Sequence, residues 1–448
     1  MLKTVPDAKP RRHVRAIFAR RGFRRLLSVR LSTQLGDGFF QVALGVSVFF
    51  NPDRQVDPLA YAIAFAMVIA PYTLLGPYIG VFLDRWRRRN VLAAANTVRA
   101  CLLIPVAGLV FSGGPVWLFA GLAMVVITLN RFVLAGLSAS QPHVVDQPEL
   151  VTANAFSTTA GAAAYGAGLG GGFAVSALLG RVVDDSDVGY GVAAAVSVPL
   201  LLAAALLAWR SFSPDGLGPD ESERASGGVV AALVETTKGM IRGFRHLWTR
   251  RGTAYVMGAQ AGYRALYGIL AVTTLVAFRE HFHDAQRFGD YQDSQAWLLA
   301  IMVAGQLGAL LAAVVTPRMT RTIGPGPWVT WMLAMVAVVI AATGSAYAAF
   351  VFVAATFFVN IASQSTKIVV DTSIQSNCDD DYRGRLFSLN DTVFNLSFVI
   401  GLFCGALVLP DDGYAPWLLL SGAFGYVCLT GWFGLAARRS APYVVSGT

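Results

Sequence analysis

Charge is scarce in this chain: only 14% of its 448 residues are Asp, Glu, Lys or Arg, where a soluble globular protein carries about 25%. Cysteine is scarce too. The four, Cys101, Cys378, Cys404 and Cys428, have no metal-ligand spacing and three lie inside apolar runs, which argues against a disulfide framework or a zinc site. The five histidines, His13, His143, His246, His281 and His283, fall in or near polar connections. His281 and His283 could hold a metal, but an outer-face loop explains them more simply. No Ser/His/Asp set occupies a plausible site and no GxxxxGK[ST] phosphate loop occurs. These absences exclude an enzyme and an ATP-driven machine, and no cofactor is expected.

What the chain has instead is apolar length. Hydrophobic residues make up 55%, the mean hydropathy is +0.56, and the 45 glycines suit helices that pack closely in a bilayer. Runs long enough to cross the hydrocarbon core, about 20 residues each, fall at 24–50, 58–83, 90–111, 115–138, 153–180, 189–209, 253–278, 295–316, 328–347, 348–371, 386–409 and 414–437. That makes an all-α integral membrane protein of twelve transmembrane helices. The ninth and tenth runs are separated only by a weak break near Ala346–Ala349.

The net charge of +9 and pI near 9.6 suggest nucleic acid until the cations are placed. Arg54, Arg181, Arg279 and Arg287 fall on one side, Arg30, Arg99, Arg131, Arg264 and Lys367 within spans, and the other 26 of the 35 on the opposite side. By the positive-inside rule both termini are cytoplasmic. The basic excess is therefore a topology signal and no nucleic-acid partner is expected. The run after the basic N-terminus is too long for a secretory signal and reads as a retained first span.

The polar connection after the sixth run divides the chain. The expected organisation is a basic cytoplasmic segment (1–23), a six-helix bundle (24–210), a cytoplasmic linker (211–252), a second six-helix bundle (253–437) and a tail (438–448). The linker opens on SPDGLGPDESERASGG, a composition that predicts flexibility. It continues into GMIRGFRHLWTRR, which, like RRHVRAIFARRGFRR before the first span, suits either a helix on the inner leaflet or an ordinary solvated connection. A shift of 230 residues lays Arg21-Gly22 on Arg251-Gly252, Gly38 on Gly268 and Asn130 on Asn360, and a shift of 232 lays the basic turn after Asp84 on TPRMTR. The two bundles read as a duplication, as a carrier with a central path requires.

With these residues in place the chain resembles the major facilitator superfamily. Gly80, Asp84, Arg85, Arg88 and Arg89, in GVFLDRWRRRN after the second run, occupy that family's loop signature. QLGDG (Gln34–Gly38), Arg99 in NTVRACLL, QPHVVDQPELVTANAF (Gln141–Phe156) and DDYRGRLFSLND (Asp380–Asp391) are similar to the macrolide-efflux-type branch of drug:proton antiporter-like members. The fifth run departs from the antiporter pattern, because its glycines, Gly161–Gly172, have no Pro beside them. The resemblance implies two pseudo-symmetric six-helix bundles, alternating access and proton-coupled export of amphipathic or hydrophobic, drug-like small molecules across the cytoplasmic membrane, by a monomer. It also implies that Gly80, Asp84, Arg85, Arg88 and Arg89, with Asp391, Arg383 and Arg385, form a cytoplasmic gate. The plainer reading is that the arginines only fix the loop inside while Asp84 offsets their repulsion.

A charge at the centre of a span costs about 2.5–3.5 kcal/mol on insertion scales, so each one needs a partner or a wet cavity. Asp37, between Gly36 and Gly38, is the deepest carboxylate. It reads either as the proton-coupling or substrate site, or as a structural acid paired with Arg30 or Arg131. Arg131, after Asn130, either tunes Asp37 or bonds a neighbouring helix. Arg264, with Tyr263 and Tyr267, and facing the position of Gln34 under the shift, either holds an anionic head group or forms a salt bridge. The first choice keeps a lipid-like substrate in play. Asn130 and Asn360 complete the candidate substrate set. Arg30, Arg99, Lys367 and Asp371 read as structural or gating residues, with Arg99, Lys367, Asp371 and Asp391 nearer the cytoplasmic helix ends. A non-transporting membrane scaffold is the alternative of another class.

Overall fold

The computed structural model describes residues 16–49, 75–146, 149–183, 186–220, 228–282 and 291–439, with isolated positions between 58 and 73. Arg54, Arg287, His283 and most of the basic N-terminal segment lie outside them. The described residues are almost wholly helical, as a bilayer demands, because only structures that satisfy their backbone groups internally can cross one.

Thirteen α-helices make up the main elements among the described residues. They are α1 (Arg21–Phe49), α2 (Ile79–Leu83), α3 (Arg88–Phe111), α4 (Val116–Ala139), α5 (Leu150–Val183), α6 (Ser186–Ser211), α7 (Val229–Thr249), α8 (Arg251–Val276), α9 (Tyr291–Ile323), α10 (Pro325–Ala346), α11 (Ala349–Asn377), α12 (Asp380–Ala406) and α13 (Pro416–Arg439). Among the described residues, ten helices are long and apolar enough to span a membrane. The first expected span is the 29-residue α1, whose arginines and Asp37 lower its apolar character. The second, 58–83, is described only in part and closes with α2. The break near Ala346–Ala349 is real: Tyr347 takes a left-handed turn at φ 39° and separates α10 from α11.

The chain divides into two compact units, one formed by Met1–Asn51 with Tyr78–Val234, the other by Pro52–Pro77 with Glu235–Thr448. The first unit packs α1 on α5 and α6, α3 on α6 and α4, and α2 on α4. The second packs α8 on α12, α10 on α13, and α9 on α11. Numbered by span, one-on-five, three-on-six and two-on-four in the first unit recur as seven-on-eleven, nine-on-twelve and eight-on-ten in the second. The pairing scheme is thus duplicated. One segment departs from a division at the 211–252 connection. Residues 52–77 belong to the second unit, where Phe65 meets Phe398 edge-on at 6.4 Å and the Thr392 hydroxyl donates to the Thr73 carbonyl at 3.5 Å.

Glycine sets the closest approaches. A Cβ on Gly38 would overlap the Tyr165 carbonyl oxygen and the Leu169 amide of α5, and one on Gly268 would overlap the Phe398 carbonyl oxygen and the Leu402 amide of α12. The two glycines that the 230-residue shift superposes make the same backbone contact in their own units, so the duplicated contact is one that only glycine permits. Large apolar side chains such as Trp117, Leu310 and Phe424 stay exposed on the helix faces, as lipid-facing positions do.

The linker corrects an expectation. Its first part is not a free strap: Leu217 is fully buried among Leu26, Leu92, Val133 and Ala208, and the Gly218 carbonyl accepts the Arg88 amide at 3.0 Å. Burial of one leucine outweighs the Gly/Pro composition locally. Further on, α7 is strongly amphipathic and lays Gly239 and Gly243 against Arg385 of α12.

Candidate functional site

In the first unit the polar residues of α1, α3 and α4 converge. Asp37 is 7% exposed and Arg99 1% exposed, and the Arg99 guanidinium donates to the Asp37 carboxylate in a buried salt bridge. Asn130 of α4 lies beside the Asp37 carboxylate. Arg99 is held from behind: its second nitrogen donates to Asn96 Oδ1 at 3.2 Å, Asn96 donates to the Leu92 carbonyl at 3.0 Å, and the Thr33 hydroxyl donates to Asn96 Oδ1 at 3.4 Å. Asn96 and Thr33 are fully buried. The acid therefore sits in a fixed network, which is what makes a buried charge tolerable.

This arrangement revises two expectations. The partner of Asp37 is neither Arg30 nor Arg131 but Arg99, which lies midway along α3 rather than near its end. Arg30, 4% exposed, hydrogen-bonds the Ser138 hydroxyl at 3.3 Å instead. Arg131 follows Asn130 on α4, and the ion pair of Asp37 is made by Arg99 of α3. Gln34 lies over Gly161 of α5, with its side-chain oxygen buried and without a hydrogen-bond partner.

In the second unit, Arg264 of α8 has no carboxylate partner among the described residues. Its guanidinium lies 3.9 Å from the centre of the Phe394 ring, 4.5 Å from Phe398 and 5.1 Å from Tyr267, a cation cradled by aromatic faces. Its Nε is buried without a hydrogen bond. Tyr263 is not a free wall of this cradle: it is fully buried and its hydroxyl donates to the Val359 carbonyl. Asn360 donates to the Thr356 carbonyl of its own helix at 2.9 Å and lies over Gly305 of α9. One turn before Arg264 stands Gln260, 1% exposed, with neither amide atom hydrogen-bonded.

Lys367 of α11 balances two acids, Asp371 at 3.4 Å and Asp391 at 3.6 Å. Asp391 therefore pairs with Lys367, and the structure does not bring it together with Arg383 or Arg385. Arg383 donates to the Cys378 carbonyl at 3.3 Å, and Arg385 packs beneath α7, 5.9 Å from the Tyr382 ring centre.

The signature loop is engaged with the linker of its own unit. Asp84 ends α2, its amide donating to the Gly80 carbonyl at 2.9 Å. Arg85 donates to the Val81 carbonyl at 2.9 Å, Arg88 to the Ala139 carbonyl at 3.0 Å, and Arg89 to Asn90 at 3.1 Å while stacking over Trp209 at 4.2 Å. Arg87 pairs with Asp215 of the linker at 3.0 Å, and His143 lies 3.6 Å from Asp220. Among the described residues no group of three or more His, Cys, Asp or Glu is arranged to hold a metal, and His281 stacks on Tyr414 at 4.8 Å.

Thr33, Asn96 and Gln260 carry no charge that would single them out in the sequence. Asn96 and Arg99 stand three apart in NTVRACLL, the spacing of neighbours on one helix face, and the 230-residue shift sets Gln260 on Arg30. Both signals were available in the sequence.

Known proteins agree with the fold. The chain is 36% identical over 427 residues to an uncharacterized MFS-type transporter of Mycobacterium tuberculosis, covering 94% of this chain and 92% of that one. It is 22% identical over 393 residues to macrolide efflux protein A of Streptococcus pyogenes, covering 85% and 88%. In fold it is similar to a bacterial homologue of the iron transporter ferroportin in its inward-facing state, with a TM-score of 0.65, 16% identity, and coverage of 94% and 99%. The family model of the Major Facilitator Superfamily matches residues 26–402. This multi-pass membrane protein, with its duplicated helix pairing and its charges buried within the spans, belongs to the Major Facilitator Superfamily of transporters.

Proposed function

We propose that the protein is a secondary transporter that exports amphipathic or hydrophobic small molecules across the cell membrane in exchange for protons, by alternating access. The observation that carries this reading is the buried Asp37–Arg99 pair. Two full charges taken out of water are stable only together, and stranding either one costs about 3–5 kcal/mol. A proton delivered to Asp37 cancels its charge and frees Arg99, so the protonation state and the packing of α1 on α3 change together. That coupling is what a proton-driven carrier needs. The similarity to a macrolide efflux protein supports export as the direction.

In this reading both termini lie in the cytoplasm, the carrier works as a monomer, and Asp84 with its neighbouring arginines forms the inner gate. Asn130 and Asn96 keep the pair aligned through the cycle.

The test is transport of a panel of amphipathic fluorescent dyes by the purified protein in liposomes under an imposed pH gradient. Accumulation that follows the gradient is expected, and Asp37→Asn should abolish the gradient dependence. A protein that moves no member of the panel under any gradient would instead be a scaffold.

A further inference from the structure

We propose that α8 and α12 of the second unit form a recognition site for the anionic head group, carboxylate or phosphate, of an amphiphilic substrate, with Arg264 as the charge and Gln260 as the neutral donor. This rests on the transporter reading above and names the chemical class of its cargo.

Three observations carry it. Arg264 is a full positive charge within a membrane span, and among the described residues its interactions are with three aromatic rings rather than with an acid. The comparable cation of the same unit, Lys367, is already matched by Asp371 and Asp391, and the cation of the first unit's network, Arg99, by Asp37. The Arg264 Nε makes no hydrogen bond among the described residues, and a planar guanidinium fork fits carboxylate and phosphate in a two-point contact.

Gln260 is the second observation. A side-chain amide that is 1% exposed and makes no hydrogen bond with either atom carries a desolvation cost of about 1–3 kcal/mol until something satisfies it. It stands four residues before Arg264, hence on the same face of α8. Its N–H₂ group adds a donor beside the guanidinium.

The third is the wall. Phe394 and Phe398 stand four apart on α12, and Tyr267 packs on Phe398 at 5.7 Å. The partly exposed rings of Phe394 and Tyr267 offer an apolar surface next to the charge, backed by the buried Phe398, the combination that an amphiphile needs and a bare inorganic anion does not.

The test is competition for radiolabelled octanoate bound to the protein in lipid nanodiscs, with empty nanodiscs as the blank. Octyl phosphate should displace the label at least 10-fold more effectively than octanol or octyltrimethylammonium. Inorganic phosphate should displace it poorly. Arg264→Gln should weaken octanoate binding 10-fold or more with a normal melting curve, Arg264→Lys should retain part of the affinity, and Gln260→Leu should weaken it several-fold. Equal displacement by octyl phosphate and octanol in the wild type overturns the proposal, even if Arg264→Gln does not fold. So does unaltered octanoate binding by a folded Arg264→Gln protein. Inorganic phosphate competing as well as octyl phosphate overturns the amphiphile assignment. Gradient-driven dye transport that persists without any anion preference removes this inference and leaves the transporter reading standing; anion preference in a protein that transports nothing does the reverse.

Discussion

Helix α1 opens the first unit with Arg30 and, one turn later, Gln34; helix α8 opens the second with Gln260 and, one turn later, Arg264. The residue types are the same and their order is reversed. Each helix also places a glycine, Gly38 or Gly268, against the backbone of the fifth helix of its unit. What differs is the acid. Position 37 is Asp in α1, whereas the equivalent position in α8 is Tyr267. The duplication has kept the contact that fixes helix spacing and let the polar chemistry diverge. The first unit holds a closed ion pair backed by Asn96 and Thr33, and the second holds a cation resting on rings. Closed pairs suit a switch that a proton can open, while open cations suit recognition.

The sharpest way to break this contrast is to remove each cation. Arg99→Leu leaves Asp37 buried and alone and should cost about 3–5 kcal/mol, read as a large fall in melting temperature in detergent. Arg264→Leu strands no acid and should cost no more than about 2 kcal/mol. Equal losses would mean that Arg264 is as structurally paired as Arg99.

Next in size is the linker's anchor to the first unit. Leu217→Ala should destabilise by about 2–3 kcal/mol, at the lower end of the range for buried leucine, and should expose the linker to protease. A truly free strap would show no change in melting.

In the second unit, Tyr347 sits between α10 and α11, outside the spans, where its hydroxyl donates to the Gly413 carbonyl and accepts the Ala415 amide at 3.1 Å. Burial pushes its pKa from 10.0 up to about 12. The unfolded chain loses this phenolic proton first, so the stabilisation is complete below pH 10 and is lost as pH rises towards about 12. Tyr347→Phe should cost about 1 kcal/mol at neutral pH and flatten that alkaline step in the melting profile. The smallest effect belongs to Arg87 and Asp215, both about half exposed. Asp215→Asn should change stability by less than about 1 kcal/mol, and any effect on transport would then report on the loop's motion rather than its folding.

The positions of the spans were largely legible in the sequence from hydropathy, although the depth of Arg99, midway along α3 rather than near its end, was not. The break at Tyr347 and the helical course of the runs, where described, followed from that hydropathy, and the 230-residue shift paired the glycines. Rotation about the helix axis was not legible. Arg99 could be placed in a span but not aimed, so its pairing with Asp37 rather than with a helix end required the packing of α1, α3 and α6. The linker failed for a different reason. Its Gly, Pro and Ser content predicts a loose chain, and one buried leucine with one backbone hydrogen bond reverses that over ten residues.

The central claim is that Asp37 and Arg99 form the coupling switch of the first unit, separate from recognition in the second. The most direct test is the pH dependence of dye exchange in proteoliposomes for wild type, Asp37→Asn and Arg264→Gln. The account predicts that Asp37→Asn still exchanges dye but without pH dependence, while Arg264→Gln keeps the wild-type pH profile for an uncharged dye. An Asp37→Asn protein whose exchange follows pH as the wild type does would contradict it.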